Sequence, residues 1–588
     1  MCGIGGLVRY DVPPDRSVLA AMRARLRHRG PDGEATHVSP HCGLVHTRLS
    51  LVDPVGGAQP FRSPDGRFVL VYNGEVYALD GLRRELSAGW EFCTRSDAEV
   101  VLAAYAAWGE RCVHRLEGMF AFFVWDTRAE AGFAARDKLG VKPFVYAWDG
   151  ASFAFASEAK AVLPALRSRP QAHREALLEV LVAPCFSGVE SPAFAGMSHL
   201  PPGSALRVSR AGVSVDRWWR YELTGDAPDD ATLAARVGDA LERAVRRTLV
   251  ADVPVGVFLS GGLDSTAIAA HAVRAGYAPR AFTVRFDDHA RAEEGASRIV
   301  VSDDLPFALE AAQALALDVS VVDVARDDLD DDLDAVAFAN DALPAWEQEV
   351  AQSRLARAAS RHVKAVLVGD AADETHFGYH FLHDAVATES PARILERFAD
   401  APIRREVMAQ PRAHFDAKYR ALVTGLGHRW DAPRDRAMAT ACLVVERWLP
   451  RLLHNGDIHT MAHGLEARVP FADGALLDLA RKVSPEAAMR GGVEKAVLRE
   501  ALRGVVPEVV RVRTKSALPK DLGDGRRYQR LCAREIERAG DLLTAVLDVD
   551  VLRRWCDERT VLAERERALL FRVVCLARWA QRWDVDLA

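Results

Sequence analysis

The chain has 588 residues, of which 49% are hydrophobic and 27% charged, and carries a formal net charge of -6. That length exceeds what one hydrophobic core organises, so at least two domains are expected. The mild acidity, with a pI near 6.3, speaks against an electrostatic nucleic-acid or membrane binder.

The first residues, MCGIGGLVRYDVPPDR, lack the basic-then-apolar layout of a secretory signal, and no apolar run approaches the ~18–20 residues that span a bilayer. From there to about residue 210 the chain is rich in short β-like runs, at 5–8, 43–49, 68–77, 118–125 and 152–156. A helical patch at 98–108 interrupts them, and the whole reads as an α+β domain with packed antiparallel sheets over residues 2–210. A linker follows over 211–232, centred on the Gly/Pro/Asp-rich stretch ELTGDAPDDAT.

Beyond it Leu233, Val237, Leu241, Val245 and Leu249 recur every four residues, the period of an amphipathic helix. Strand-like runs at 253–259, 281–286, 319–324 and 363–368 alternate with helical patterns, predicting a parallel α/β sheet with ligands at its strand C-terminal ends. The acidic run 327–334 (DDLDDDLD) is expected to be a solvated loop or helix face. A largely helical part completes this second domain, residues 233–588. The nine cysteines (2, 42, 93, 112, 185, 442, 532, 556, 575) include no CxxC pair, which suits a reducing cytoplasm better than a disulfide scaffold or metal cluster.

Of these, only Cys2 gains a free α-amine when Met1 is removed, and that amine supplies the base a thiol nucleophile needs. Alone, such a cysteine carries little weight. It is followed by HRGPDG at 28–33, RLSLVD at 48–53, YNGEVY at 72–77 and Ser96-Asp97. In order and spacing these motifs resemble the class II glutamine amidotransferases, the N-terminal-nucleophile (Ntn) glutaminases, across about 200 residues. The resemblance implies that Cys2 attacks the glutamine amide, with the Asn73 side chain and Gly74 N–H as oxyanion hole. It implies that Arg48 grips the substrate α-carboxylate and Asp97 the α-ammonium, with Leu49, Ser50, Leu51, Val52 and Glu75 completing the pocket. Arg29 and Met119 resemble residues at the inner mouth of the family's ammonia tunnel.

In the second domain SGGLDST at 260–266 sits between a strand and a helical run. Backbone N–H groups and small side chains of such a loop cradle phosphate, and the Gly-Lys-Ser/Thr ending of the kinase-type loop is absent. It resembles the pyrophosphate loop of substrate-adenylating enzymes. Together with GDAADE at 369–374 and Val493-Glu494-Lys495, it gives the chain a near full-length resemblance to glutamine-hydrolysing asparagine synthetase. That resemblance implies an ATP-pyrophosphatase domain that binds ATP through Leu259, Ser260, Gly261, Gly262, Asp264, Ser265, Val284, Val368 and Gly369. Mg²⁺ would lie on Asp264 and Asp373, Asp370 and Lys495 would act in catalysis, and the assembly would be a homodimer. The stretch 457–473 (DIHTMAHGLEARVPFAD), read as helix-associated, matches the family pattern and is expected to be mostly structural.

Several departures fall near the acceptor. Val368 stands where the family has serine and Ala371 where it has glycine; Thr375 and His376 replace apolar residues; 339–346 and 513–519 are also non-standard. His376 is expected to be structural rather than an acid/base. The reaction expected is aspartate to asparagine. A specialised amide- or hydroxamate-former acting on another carboxylic acid stays open, as do a ring-closing synthetase and a non-catalytic homologue. Intact Cys2, Arg48, Asn73 and Asp97 oppose the ring-closing reading, and Asp264, Asp373 and Lys495 oppose the non-catalytic one.

Overall fold

The computed structural model describes residues 2–227, 231–286, 303–324, 329–379, 382, 402–516 and 525–587. The N-terminal body is a sandwich of two six-stranded antiparallel sheets. One contains β1 (Cys2–Arg9), β2 (Gly33–Val38), β3 (Cys42–Arg48), β8 (Val145–Trp148), β9 (Ser152–Ala156) and β10 (Met197–His199), in the order β10-β8-β9-β1-β3-β2. The other contains β4 (Phe61–Arg62), β5 (Phe68–Val76), β6 (Gly118–Asp126), β7 (Ala131–Arg136), β11 (Ser204–Ser209) and β12 (Gly212–Arg217), in the order β12-β11-β7-β6-β5-β4.

Period-two side chains from both sheets meet between them: Ile4, Val8 and Leu44 from one, Val69, Val71, Phe123 and Trp125 from the other. The helix Asp97–Trp108, capped by the Ser96 hydroxyl, covers the outer face of the second sheet. The outer face of the first sheet shares a core with the C-terminal helices Gly525–Leu543 and Glu564–Arg582.

The C-terminal body is built on five parallel strands: β13 (Val255–Phe258), β14 (Arg280–Phe286), β15 (Val319–Val324), β16 (Ala365–Leu367) and β17 (Glu466–Arg468). Their order, β15-β14-β13-β16-β17, reverses direction between β13 and β16. At such a switch point the loops leaving the two strands diverge and open a crevice for ligand. The loop of Ser260 leaves β13 and the loop of Gly369 leaves β16, so both predicted ATP motifs stand at that crevice.

Three expectations need correcting. β12 pairs along its length with β11, so residues 212–217, read as linker, belong to the sandwich. Its outward side chains made an edge strand look like connecting chain. β17 lies within the stretch expected to be helix-associated; the helix there, Leu449–Met461, ends before it. In the acidic run, residues 327–328 lie outside the described residues, but Asp332 is buried and paired with Arg354, so this carboxylate is not solvated. The period-four helix runs Ala231–Thr248, with Leu233, Val237, Leu241 and Val245 buried.

The two bodies share one core: Leu49, Leu51, Met119 and Val141 of the sandwich pack in the same cluster as Val257, Ala467 and Val469 of the parallel sheet. Buried charge crosses the same boundary. Arg29, fully buried, donates to Glu158 at 2.8 Å and to Asp457 of the other body at 2.7 Å. Removing one member of such a pair strands a charge in low dielectric, at a cost of about 3–5 kcal/mol.

Candidate active sites

Cys2 begins β1 opposite Arg48 of β3, and its backbone nitrogen donates to Asn73 Oδ1 at 3.0 Å. This nitrogen becomes the α-amine once Met1 is gone; Met1 itself lies outside the described residues. With its oxygen so engaged, Asn73 turns Nδ2 the other way. That donor is buried and has no partner among the described residues. An unpaired buried N–H is costly unless a ligand oxygen completes it, which is what an oxyanion hole requires. Burial pushes the Cys2 thiol up, opposed by the Leu49 backbone N–H and the charge of Arg48.

Arg48 donates to the carbonyls of Asp53 (2.6 Å) and Pro54 (2.7 Å), which hold its guanidinium in place. Asp97 accepts the Tyr72 hydroxyl at 2.6 Å and the Val76 N–H at 3.1 Å. Both bonds fall on Oδ2. Burial raises the Asp97 carboxyl nevertheless. Glu75, beside Asp97, also reaches across the boundary: its carboxylate pairs at 3.1 Å with Arg468 of the C-terminal body. Met119 lies opposite Glu75 in the β5–β6 register, and Arg29 Nε donates to the Cys2 carbonyl at 3.3 Å. Arg29 thus adjoins Cys2, and Met119 packs in the core shared with the other body.

The second site is organised by a buried lysine. Lys495 Nζ lies 2.6 Å from Asp264 Oδ2 and 2.5 Å from Asp373 Oδ1, and bridges the first turn after the Ser260 loop to the loop after β16. Lys515 Nζ takes the other Asp373 oxygen at 2.6 Å. Burial pushes the Asp373 carboxyl up, but the two ammonium groups outweigh it and hold it far below the carboxylate range. Asp370 is relieved only in part by the charge of Lys515; burial and the charge of Asp373 push it up to about 6. Asp264 Oδ1 is buried with no partner among the described residues.

The loop itself is closed by small groups. Ser265 Oγ accepts the Ser260 N–H at 3.2 Å and lies 3.0 Å from Ser260 Oγ. Gly261 has φ +69°, and a Cβ there would fall 2.3 Å from the Ala308 nitrogen, so no other residue fits. Gly378 is constrained by side chains instead: a Cβ would lie 2.0 Å from Asp373 Oδ1 and 2.3 Å from Lys495 Cε, displacing both. Gly378→Ala is expected to lower ATP–pyrophosphate exchange by about 100-fold, because a shift of about an ångström in a reacting constellation has that effect. Glutaminase activity measured on the same preparation should be unchanged.

Two family models divide the chain, the glutamine amidotransferase domain over residues 1–219 and asparagine synthase over residues 236–581. Asparagine synthetase [glutamine-hydrolyzing] 3 of Bacillus subtilis is 31% identical over 540 residues, covering 88% of this chain and 87% of that protein. Asparagine synthetase B [glutamine-hydrolyzing] of Escherichia coli is 30% identical over 543 residues, covering 89% and 83%. The chain belongs to the glutamine-hydrolysing asparagine synthetase family. It is an ATP-dependent amidotransferase with an Ntn glutaminase body and a parallel-sheet synthetase body.

Within that family framework the structure brings the predicted residues into two clusters. Cys2, Arg48, Leu49, Asn73, Gly74 and Asp97 gather around the start of β1. Ser260, Gly261, Gly262, Asp264, Ser265, Gly369, Asp370, Asp373 and Lys495 gather at the switch point. Leu259 is buried, its N–H on the Phe282 carbonyl at 2.9 Å, and Val284 lies in the C-terminal half of β14. Val368 donates its N–H to the Arg468 carbonyl at 2.9 Å. His376 is buried, with Nδ1 2.8 Å from Thr375 Oγ1, and burial and the charge of Lys495 lower its pKa to about 4. Ala371, in the family's glycine position, keeps the left-handed backbone at φ +73°. Residues 517–519 of the second non-standard segment lie outside the described residues.

Sequence reasoning missed Lys515, although it flagged 513–519 as unusual. A lysine between a threonine and a serine carries no pattern, and its role comes from the chain returning to Asp373. Arg468 was also missed; its charge directly before the apolar Val-Pro-Phe run was the available signal.

Proposed function

We propose that this amidotransferase forms a carboxamide from a carboxylic acid, with aspartate as the acid and asparagine as the product. The Cys2 α-amine takes the thiol proton and the thiolate attacks the glutamine side-chain carbonyl. Negative charge on the tetrahedral intermediate is received by Asn73 Nδ2 and the Gly74 N–H, and ammonia leaves. Water then releases glutamate from the thioester. Arg48 and Asp97 hold the two ends of the amino acid.

At the switch point the acceptor carboxylate attacks the ATP α-phosphorus, and the Ser260 loop with Lys495 takes the pyrophosphate. Ammonia displaces AMP from the acyl-adenylate, with Asp370 placed to accept its proton. Asp264 and Asp373 fit a divalent ion, since their carboxylates converge within one lysine ammonium of each other and Asp264 Oδ1 is unpartnered. Mg²⁺ held there would offset triphosphate charge. In this reading the enzyme is cytoplasmic and works as a homodimer, which sedimentation of the purified protein tests.

The observation that supports the reading most is Lys495, buried and bridging Asp264 to Asp373 where a leaving pyrophosphate needs a cation. ATP–pyrophosphate exchange across a panel of carboxylic acids, with and without glutamine, is the deciding experiment. Exchange supported by aspartate is expected; exchange with another acid and none with aspartate would overturn the acceptor assignment. Lys515→Met is expected to lower exchange about tenfold, less than loss of Lys495, because Lys515 reaches only Asp373.

A further inference from the structure

The glutamine pocket belongs to the sandwich, yet its shape is held from the synthetase side. Residues 248–252 connect the helix Ala231–Thr248 to β13, the strand that carries the pyrophosphate loop. At the far end of this segment, Asp252 donates its backbone N–H to the Leu51 carbonyl at 2.8 Å. Its Oδ2 accepts the Asp53 N–H at 2.9 Å and Arg95 Nη2 at 2.8 Å. Asp53 sits in the left-handed region at φ +47°, a conformation a non-glycine residue keeps only when its neighbours hold it. The carbonyls of Asp53 and Pro54 in turn fix Arg48.

The near end of the segment is anchored by Arg468. Its Nη1 donates to the Thr248 carbonyl at 2.8 Å and the Val250 carbonyl at 2.7 Å, while Nη2 pairs with Glu75 and Nε with Glu466 at 2.6 Å. The Arg468 carbonyl accepts from Val368, the residue before the Gly369 loop. One segment thus touches the glutamine pocket through Asp252 and the ATP crevice through β13 and Arg468.

We infer that residues 248–252 form a strap by which the synthetase body positions the glutamine-binding loop, with Asp252 as the positioning residue that sets Arg48. The inference rests on the proposed role of Arg48 toward the glutamine carboxylate. Asp252 touches no substrate; its side chain reaches Arg48 through Asp53, whose carbonyl holds the guanidinium.

The test uses the full-length chain carrying Asp252→Ala. The KM for glutamine is expected to rise about tenfold, the effect of losing hydrogen bonds to a charged acceptor, while the glutaminase kcat changes less than about twofold. Ammonia-dependent exchange and product formation should be unaltered, and Asp252→Asn, which keeps one acceptor oxygen, should restore most of the KM. Hydrogen exchange at the amides of 51–56 is measured alongside, without glutamine or ATP, and is expected to be faster in Asp252→Ala. An unchanged KM overturns the strap, as does a loss spread equally over glutaminase and ammonia-dependent rates. If the parent protein hydrolyses no glutamine, the function proposed above fails instead. The exchange measurement then still decides the strap, and unchanged exchange overturns it.

Discussion

Cys2→Ala is expected to lower glutamine-dependent product formation at least about 10³-fold while ammonia-dependent formation stays within about twofold of the parent, because loss of a covalent nucleophile leaves only binding and the oxyanion hole. The asymmetry is the informative part. Asn73 Nδ2 and the Arg48–Asp97 pair remain, so glutamine should still bind, and the synthetase crevice contains no atom of Cys2. Cys2→Ser tests the base as well, since the α-amine held at 3.0 Å by Asn73 Oδ1 must then activate a less acidic hydroxyl. Glutamate release, measured separately from product, shows whether the thioester step is the one lost. Glutaminase activity surviving Cys2→Ala would remove the nucleophile assignment.

Lys495→Ala is expected to reduce ATP–pyrophosphate exchange about 10³-fold, in the range found when one preorganised donor to developing charge is removed. Two effects act together. The leaving pyrophosphate loses its cation, and Asp264 faces Asp373 with only Lys515 left nearby. Without Lys495 the Asp373 carboxyl rises from its depressed range, because burial then works against fewer cations. Lys495→Arg should rescue little, since a planar guanidinium does not fit where one ammonium stands 2.6 Å and 2.5 Å from two carboxylates, with Gly378 closing the space behind. Glutamine hydrolysis at Cys2 is the internal control. Exchange retained by Lys495→Ala would show that the pyrophosphate is stabilised elsewhere.

The chemistry was legible in sequence where the residues that act lie close together in the chain. Asn73, Gly74 and Glu75 are consecutive, the pyrophosphate loop is seven residues, and GDAADE carries Asp370 and Asp373 within one turn. Their spacing is imposed by strand-to-loop geometry that any member of the family must reproduce. What stayed hidden depends on the return path of the chain. Lys515 meets Asp373 across 142 positions and Arg29 meets Asp457 across 428. No local pattern encodes such a meeting. Glu75 was legible as a pocket residue from its neighbours, but its partner Arg468, 393 positions further along the chain, was not. β17 was overlooked because three residues give no periodicity; it becomes a strand only because β16 offers it an edge.

The helix Leu449–Met461 has a bearing on how this architecture can be recombined. A Cβ at Gly456 would lie 3.2 Å from Asp370 Oδ2, while the next residue, Asp457, grips Arg29 of the sandwich. Consecutive positions of one helix thus belong to two different reaction centres. A chimera joining the glutaminase of one relative to the synthetase of another inherits mismatched charges along this seam unless Arg29, Glu158, Glu75, Asp457 and Arg468 travel as a set. Libraries aimed at new acceptors therefore have a natural boundary here: Gly456, where a Cβ would already crowd Asp370, and Asp457, which grips Arg29, are both kept fixed.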